Sequence, residues 1–134
     1  MNLSQINYLA VILAALTSFV VGGLWYSSLL FGKIWMKEAG ISRENAKKSS
    51  MIKTFGLSFV LSLVICFNLA AFLGPESDFL WGMMAGGLAG IGWATASLGV
   101  LYLFEGRSLK LFLINGGYNA VNYIIAGGII GAWH

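Results

Sequence analysis

Charge is what this sequence has least of. Eight Lys and Arg and five Asp and Glu are spread over 134 residues, 10% of the chain, against about 25% in a soluble domain. So few charges cannot coat a globule of this size, which excludes water as the solvent for most of the surface. Cysteine is reduced to Cys66, so no intrachain disulfide framework can form. The one histidine is His134. A haem held by two histidines of one chain is excluded, and Cys66 with His134 cannot build a Cys–His metal cluster. No carboxylate falls inside a long apolar run, which removes the usual proton relay of a coupled transporter. Ser27 and Ser28 bring no histidine with them, so no nucleophile–base pair can be argued. The chain is expected to be no enzyme and to carry no cofactor or metal.

What is present is apolar sequence, 58% of the residues. Met1–Gly32, Thr54–Pro75, Phe79–Phe104 and Leu111–His134 contain no charge. Each is long enough to cross a hydrocarbon core of ~30 Å, which takes about 20 helical residues. The runs are continuous rather than alternating, which excludes a barrel. The expected fold is all-α: an integral membrane four-helix bundle in one domain, residues 1–134. The helices are expected over about 6–30, 54–73, 79–104 and 109–133. Met1–Asn7 has no basic n-region and the following stretch is too long for a signal peptide, so it reads as a retained helix.

The long polar segment 33–53 carries six of the eight basic residues: Lys33, Lys37, Arg43, Lys47, Lys48 and Lys53. Arg107 and Lys110 lie between the third and fourth runs. A four-helix hairpin arrangement puts all eight on one face. The other face holds Glu76 and Asp78 and no Lys or Arg. Loops rich in Lys and Arg stay in the cytoplasm, so both termini are expected outside, in a bacterial inner membrane. A bias of eight to zero argues against dual-topology dimers. The net charge of +3 flanks membrane spans; it is read as topogenic, with anionic lipids at the basic loop as a partner, and not as a nucleic-acid footprint. Trp35 and Met36 among these lysines fit a short interfacial helix closed by Gly40. Ser42 is a suitable N-cap for a second helix beginning near Arg43.

Small residues recur at helical spacing. Ala14, Ser18 and Gly22 lie four apart, as do Thr54, Ser58, Ser62, Cys66 and Ala70. Gly82, Gly86 and Gly90 form a GxxxGxxxG ladder, with Ala89, Trp93, Ala96 and Ser97 on or near its face. Gly116, Ala120, Gly127 and Gly131 form a small face on the last helix. Such faces let backbones approach closely in lipid. Four helices need few close contacts inside, so at least one ladder is expected to serve a homo-oligomer. Gly22/Trp25 and Gly90/Trp93 share a spacing, a weak sign of a parallel two-hairpin repeat.

Gly23-Leu24-Trp25-Tyr26-Ser27, Leu30-Phe31-Gly32-Lys33 and Trp35-Met36-Lys37 resemble the opening motif of the domain-of-unknown-function family numbered 1761. The run Tyr102–Asn115, then Gly117-Tyr118 and Gly131-Ala132-Trp133, is similar to its closing motif. The resemblance covers nearly the whole chain and implies a small multi-span membrane protein without an assigned activity. The sequence departs at Ser28, where the family pattern has proline, and this removes the proline kink expected there.

Three constellations remain as candidates. Asn115, Asn119 and Asn122 make an amide stripe, joined by Asn68, Tyr118 and Tyr123; it reads first as interhelical glue and otherwise as a hydrated path or ligand pocket. Glu105 and Arg107 are expected to form a local pair that pins the inner hairpin, against Lys33 or Trp35, near Trp25 and Tyr26. The glycine ladders make the third. The expected function is a self-associating bundle with a structural, lipid-linked or accessory role; the alternative is an oligomeric uncoupled channel lined by the amides.

Overall fold

Every described element is helical. The structure, a computed structural model, describes residues 3–41 and 48–133, with backbone alone for 48–50. Ser42, Arg43, Glu44, Lys47 and His134 lie outside the described residues.

A 3-10 turn, Leu3–Gln5, leads into α1, Tyr8–Trp25. The helix starts where Asn7 Oδ1 accepts from the amides of Leu9 and Ala10, at 3.1 and 3.2 Å, which satisfies two orphan N–H groups. It ends five residues before the expected position 30, and without proline. Ser27 Oγ takes the Leu24 carbonyl at 2.7 Å, while the amides of Phe31 and Gly32 return to the carbonyls of Trp25 and Ser27. Gly32 is required here, because a Cβ would overlap the Tyr26 carbonyl oxygen. The turn opens α2, Gly32–Ala39, which stops at Gly40 with φ 69°. α3 is Lys48–Leu73, followed by Gly74 at φ 78° and Pro75, which cannot continue a helix.

α4, Phe79–Ala89, is capped by Asp78, whose Oδ1 accepts from the Trp81 amide at 2.7 Å. It runs into a π-helical stretch, Gly90–Thr95, and then α5, Ala96–Glu105. Gly106 at φ 68° makes the hairpin, and Ser108 Oγ caps α6, Leu109–Ala132, by accepting from the Leu111 amide at 3.1 Å.

Three helices are long and apolar enough to cross a membrane: Tyr8–Trp25, Met51–Leu73 and Phe79–Glu105. Their apolar side chains face outward, up to Phe104 at 90% exposure. A folded protein surrounded by water seldom shows contiguous apolar surface on this scale. α6 is equally long, but its asparagines and tyrosines dilute its hydropathy. It lies at the centre and packs on α1, α3, α4, the π-helical stretch and α5. The most polar long helix is therefore the one the others cover.

The core joins Val11, Ala14 and Ala15 of α1 to Cys66, Leu69 and Ala70 of α3, and Ala85 of α4 to Ala126 and Ile130 of α6. The glycine ladder closes the seam between α4 and α6. A Cβ on Gly82 would overlap the Gly127 carbonyl oxygen, one on Gly127 the Gly82 oxygen, one on Gly86 the Tyr123 oxygen, and one on Gly131 the Asp78 oxygen. Gly90 rests on the Tyr123 side chain, Gly116 on Thr95 and Gly22 on Tyr118. The small faces expected to meet another subunit are, at these glycines, already occupied within the chain.

Two face assignments change. The inward positions of the third span are 82, 86 and 90, then Thr95 against Gly116, Gly99 against Phe112 and Tyr102 against Asn115. The step from 90 to 95 is one residue longer than a helical turn, which is what a π-turn inserts. Trp93, Ala96 and Ser97 consequently turn outward. The two-hairpin likeness fails in detail: Trp25 points into α6, whereas Trp93 is 64% exposed.

Candidate functional site

The end of the bundle at the α1–α2 turn and the α5–α6 hairpin holds a polar node. Trp25 Nε1 donates to the Ile114 carbonyl at 2.8 Å. Tyr26 donates its hydroxyl proton to Asn115 Oδ1 at 2.6 Å, and Asn115 Nδ2 donates to the Tyr102 hydroxyl oxygen at 2.6 Å. The Tyr26 ring sits 4.8 Å from Trp35 and 5.5 Å from Tyr118, edge-on to the latter. Tyr118 donates to the Ser18 carbonyl at 3.3 Å, and Thr95 Oγ1 to the Gly116 carbonyl at 3.1 Å. One amide thus ties α1 to α5 across α6, with α2 laid over it through Trp35. Both ends of that amide are engaged within the protein, where each bond is worth about 0.6–2 kcal/mol in lipid.

The amide stripe is not one site. Asn115 belongs to the node. Asn122 is buried, one turn from both Tyr118 and Ala126, and Asn119 is half-buried. Neither has a side-chain hydrogen bond among the described residues, and no fully enclosed side-chain N or O there lacks a partner. Asn68 is elsewhere, exposed on α3, with Nδ2 donating back to the Val64 carbonyl at 2.8 Å. The inner hairpin pair is weak. Arg107 and Glu105 approach to 4.0 Å with both side chains about half exposed, which contributes about 0–1 kcal/mol. Lys33 is exposed, and Trp35 packs on Tyr26 rather than on this pair.

The other feature is a lateral groove of about 680 Å³ between α3 and α4, which scarcely touch. Val64, Asn68 and Phe72 line one wall, and Trp81, Ala85 and Trp93 the other, with Tyr123 of α6 between them. Phe72 and Trp93 meet edge-to-face at 5.8 Å. A second cavity of about 520 Å³ lies at the other end of the bundle among Gln5, Asn7, Pro75 and Trp133. Among the described residues no cluster of His, Cys, Asp or Glu could hold a metal ion.

The closing run that bears Tyr102 and Asn115, the two partners of the node, lies inside a match to a family model. That model, described as a protein of unknown function (DUF1761), covers residues 9–131. The chain belongs to the DUF1761 family. No curated protein matches it, and no solved structure does. The DUF1761 match includes the whole node and the whole groove. Sequence reasoning missed Tyr102 as a site residue, because unbroken helical spacing puts it off the ladder face and only the π-turn brings it on. It also missed Trp81 and Trp93; their signal was two indoles on an otherwise glycine-rich helix. Ser28, in the DUF1761 opening motif, lies in a turn that bends the chain by side-chain and backbone hydrogen bonds instead of proline.

Proposed function

We propose that this DUF1761 protein is a four-helix bundle of a bacterial inner membrane, with both termini outside and basic loops cytoplasmic, serving a lipid-linked accessory role as a self-associating, non-catalytic component. The observation that carries this is Asn115. Its amide is engaged at both ends by tyrosines of flanking helices, so the most polar point of α6 acts as packing glue rather than as the wall of a water path. α6 supports the fourth span by its register. It runs antiparallel to the third span from Gly131 at Asp78 to Phe112 at Gly99, so it crosses what its neighbour crosses. All Lys and Arg lie on the face with the α1–α3 and α5–α6 connections, which favours cytoplasmic placement.

Self-association has its support in α3. Its inner half exposes Gly56 and Ser58, and a Cβ at Gly56 would meet nothing within 4 Å. Native mass spectrometry from a gentle detergent tests this: a discrete oligomer with retained lipid is expected, and a lipid-free monomer removes both halves of the reading. A cofactor absorbance in the purified protein would overturn its non-catalytic part.

A second reading, an oligomeric uncoupled channel, draws on Asn119 and Asn122, which have no hydrogen-bond partner among the described residues. Asn119→Leu should then abolish solute flux into liposomes while the protein stays folded. Unchanged flux, or none in either protein, removes the channel.

A further inference from the structure

The α3/α4 groove has a chemical bias. Among the described residues, the Tyr123 hydroxyl and the indole N–H groups of Trp81 and Trp93 have no hydrogen-bond acceptor in the protein. Asn68 keeps one of its amide protons after donating the other to Val64. Donors therefore outnumber acceptors, with Asn68 Oδ1 the one side-chain amide oxygen in the lining. In hydrocarbon, unpaired donors are costly, and water is scarce. The lining is also aromatic, with Phe72, Trp81, Trp93 and Tyr123 around small Ala85 and Ala89. Flat faces at several orientations suit a planar conjugated ring, since aromatic groups pack by offset and edge contacts. The α3 wall from Val64 to Phe72 extends about 12 Å at 1.5 Å per residue. The π-turn holds Trp93 at this wall, and π-bulges inside α-helices frequently mark functional sites.

We propose that the groove binds the head of a quinone lipid: a planar ring carrying two carbonyl acceptors on a long apolar tail. The carbonyls accept hydrogen bonds from Tyr123, Asn68 and the indoles, the ring lies among the aromatic walls, and the tail leaves through the open side into the bilayer. The inference concerns binding, with no electron transfer assigned. It rests on the lipid-linked part of the reading above and narrows it to one class of lipid.

The test titrates decylubiquinone into the full-length protein in liposomes of phosphatidylethanolamine and phosphatidylglycerol and follows tryptophan fluorescence. Quinone at van der Waals distance quenches the indoles of Trp81 and Trp93, so a saturable component above the linear partition background is expected. Asn68→Leu with Tyr123→Phe should weaken half-saturation at least about tenfold, equivalent to about 1.4 kcal/mol. Ala89→Phe fills the groove without removing a polar group and should abolish the saturable component. Trp133→Phe, outside the groove, should leave it unchanged. Circular dichroism on each variant checks folding. Linear quenching alone, or saturation unaffected by Ala89→Phe in folded protein, overturns the proposal. Retained phospholipid in native mass spectra with linear quenching would overturn the quinone while leaving the lipid-linked reading; spectra with no retained lipid would remove the broader reading as well.

Discussion

The seams that α4 makes with α6 and with α3 differ as much as two seams in one small bundle can. Against α6, glycine faces glycine, and the backbones touch at Gly82 and Gly127. Against α3, Ala85 and Ala89 face Asn68, Leu69 and Phe72, and the helices stand apart over a groove of about 680 Å³. Both neighbours are antiparallel to α4, and both join its span by short turns, at 74–78 and 106–108. Connection length therefore does not decide which seam closes. Lipid offers no hydrophobic drive between helices, so closure depends on how near the backbones can come. Small residues on both faces close a seam, whereas small residues on one face leave room for something else.

The comparison can be broken most severely at its tight side. Gly82→Leu drives a branched side chain into the α6 backbone, where nothing can give. A loss of about 3 kcal/mol or more is expected, seen as a large fall in thermal stability in detergent. Ala89→Leu, two turns along and lining the open seam, should change stability by less than about 1 kcal/mol. Equal losses from the two would mean that the seams do not differ as described.

Asn115→Leu comes next. It removes two hydrogen bonds and leaves the Tyr26 hydroxyl without its acceptor, for a loss of roughly 1–3 kcal/mol. Tyr26→Phe should give part of it, and a double-mutant cycle measures the coupling. Glu105→Gln should cost under about 1 kcal/mol, and the difference should shrink further in high salt. The smallest effect is expected of Ser28→Pro. The Ser28 amide donates no turn hydrogen bond, so stability should move by only about 0.5 kcal/mol. A loss of several kcal/mol would show that the bend after Trp25 depends on that amide.

Much of this was legible before the coordinates. Runs without charge located the long helices, and glycines mark helix ends at Gly40, at Gly74 before Pro75 and at Gly106 before Arg107. The Ser108 cap follows from side-chain chemistry that is local in sequence. Helix spacing grouped Gly82, Gly86 and Gly90 into one face, but it put Ala96 and Ser97 there too, and the π-turn sends them outward. It could not say which face meets which, because Gly82–Gly127 and a contact between subunits have the same signature in one chain. The amide stripe shows the same limit. Asn115, Asn119 and Asn122 share a helical face, yet only Asn115 meets the tyrosines, since that depends on where α1 and α5 end. The early end of α1 was missed because its breaker is a hydrogen-bonded turn with Gly32 at close quarters, not a proline.

The π-turn has one more consequence. A helix with a single phase can be read from end to end with one wheel; the third span needs two. Positions 82, 86 and 90 and positions 95, 99 and 102 point the same way only because one residue is carried as slack between them. Straightening Gly90–Thr95 into regular α-helix with every residue kept would leave the glycine seam in place and rotate the α5 half by about 100°. Tyr102 would then turn away from α6 and Leu101 would take its place beside Asn115. The two halves of this span are separate helical phases, joined by a six-residue stretch that keeps them in step.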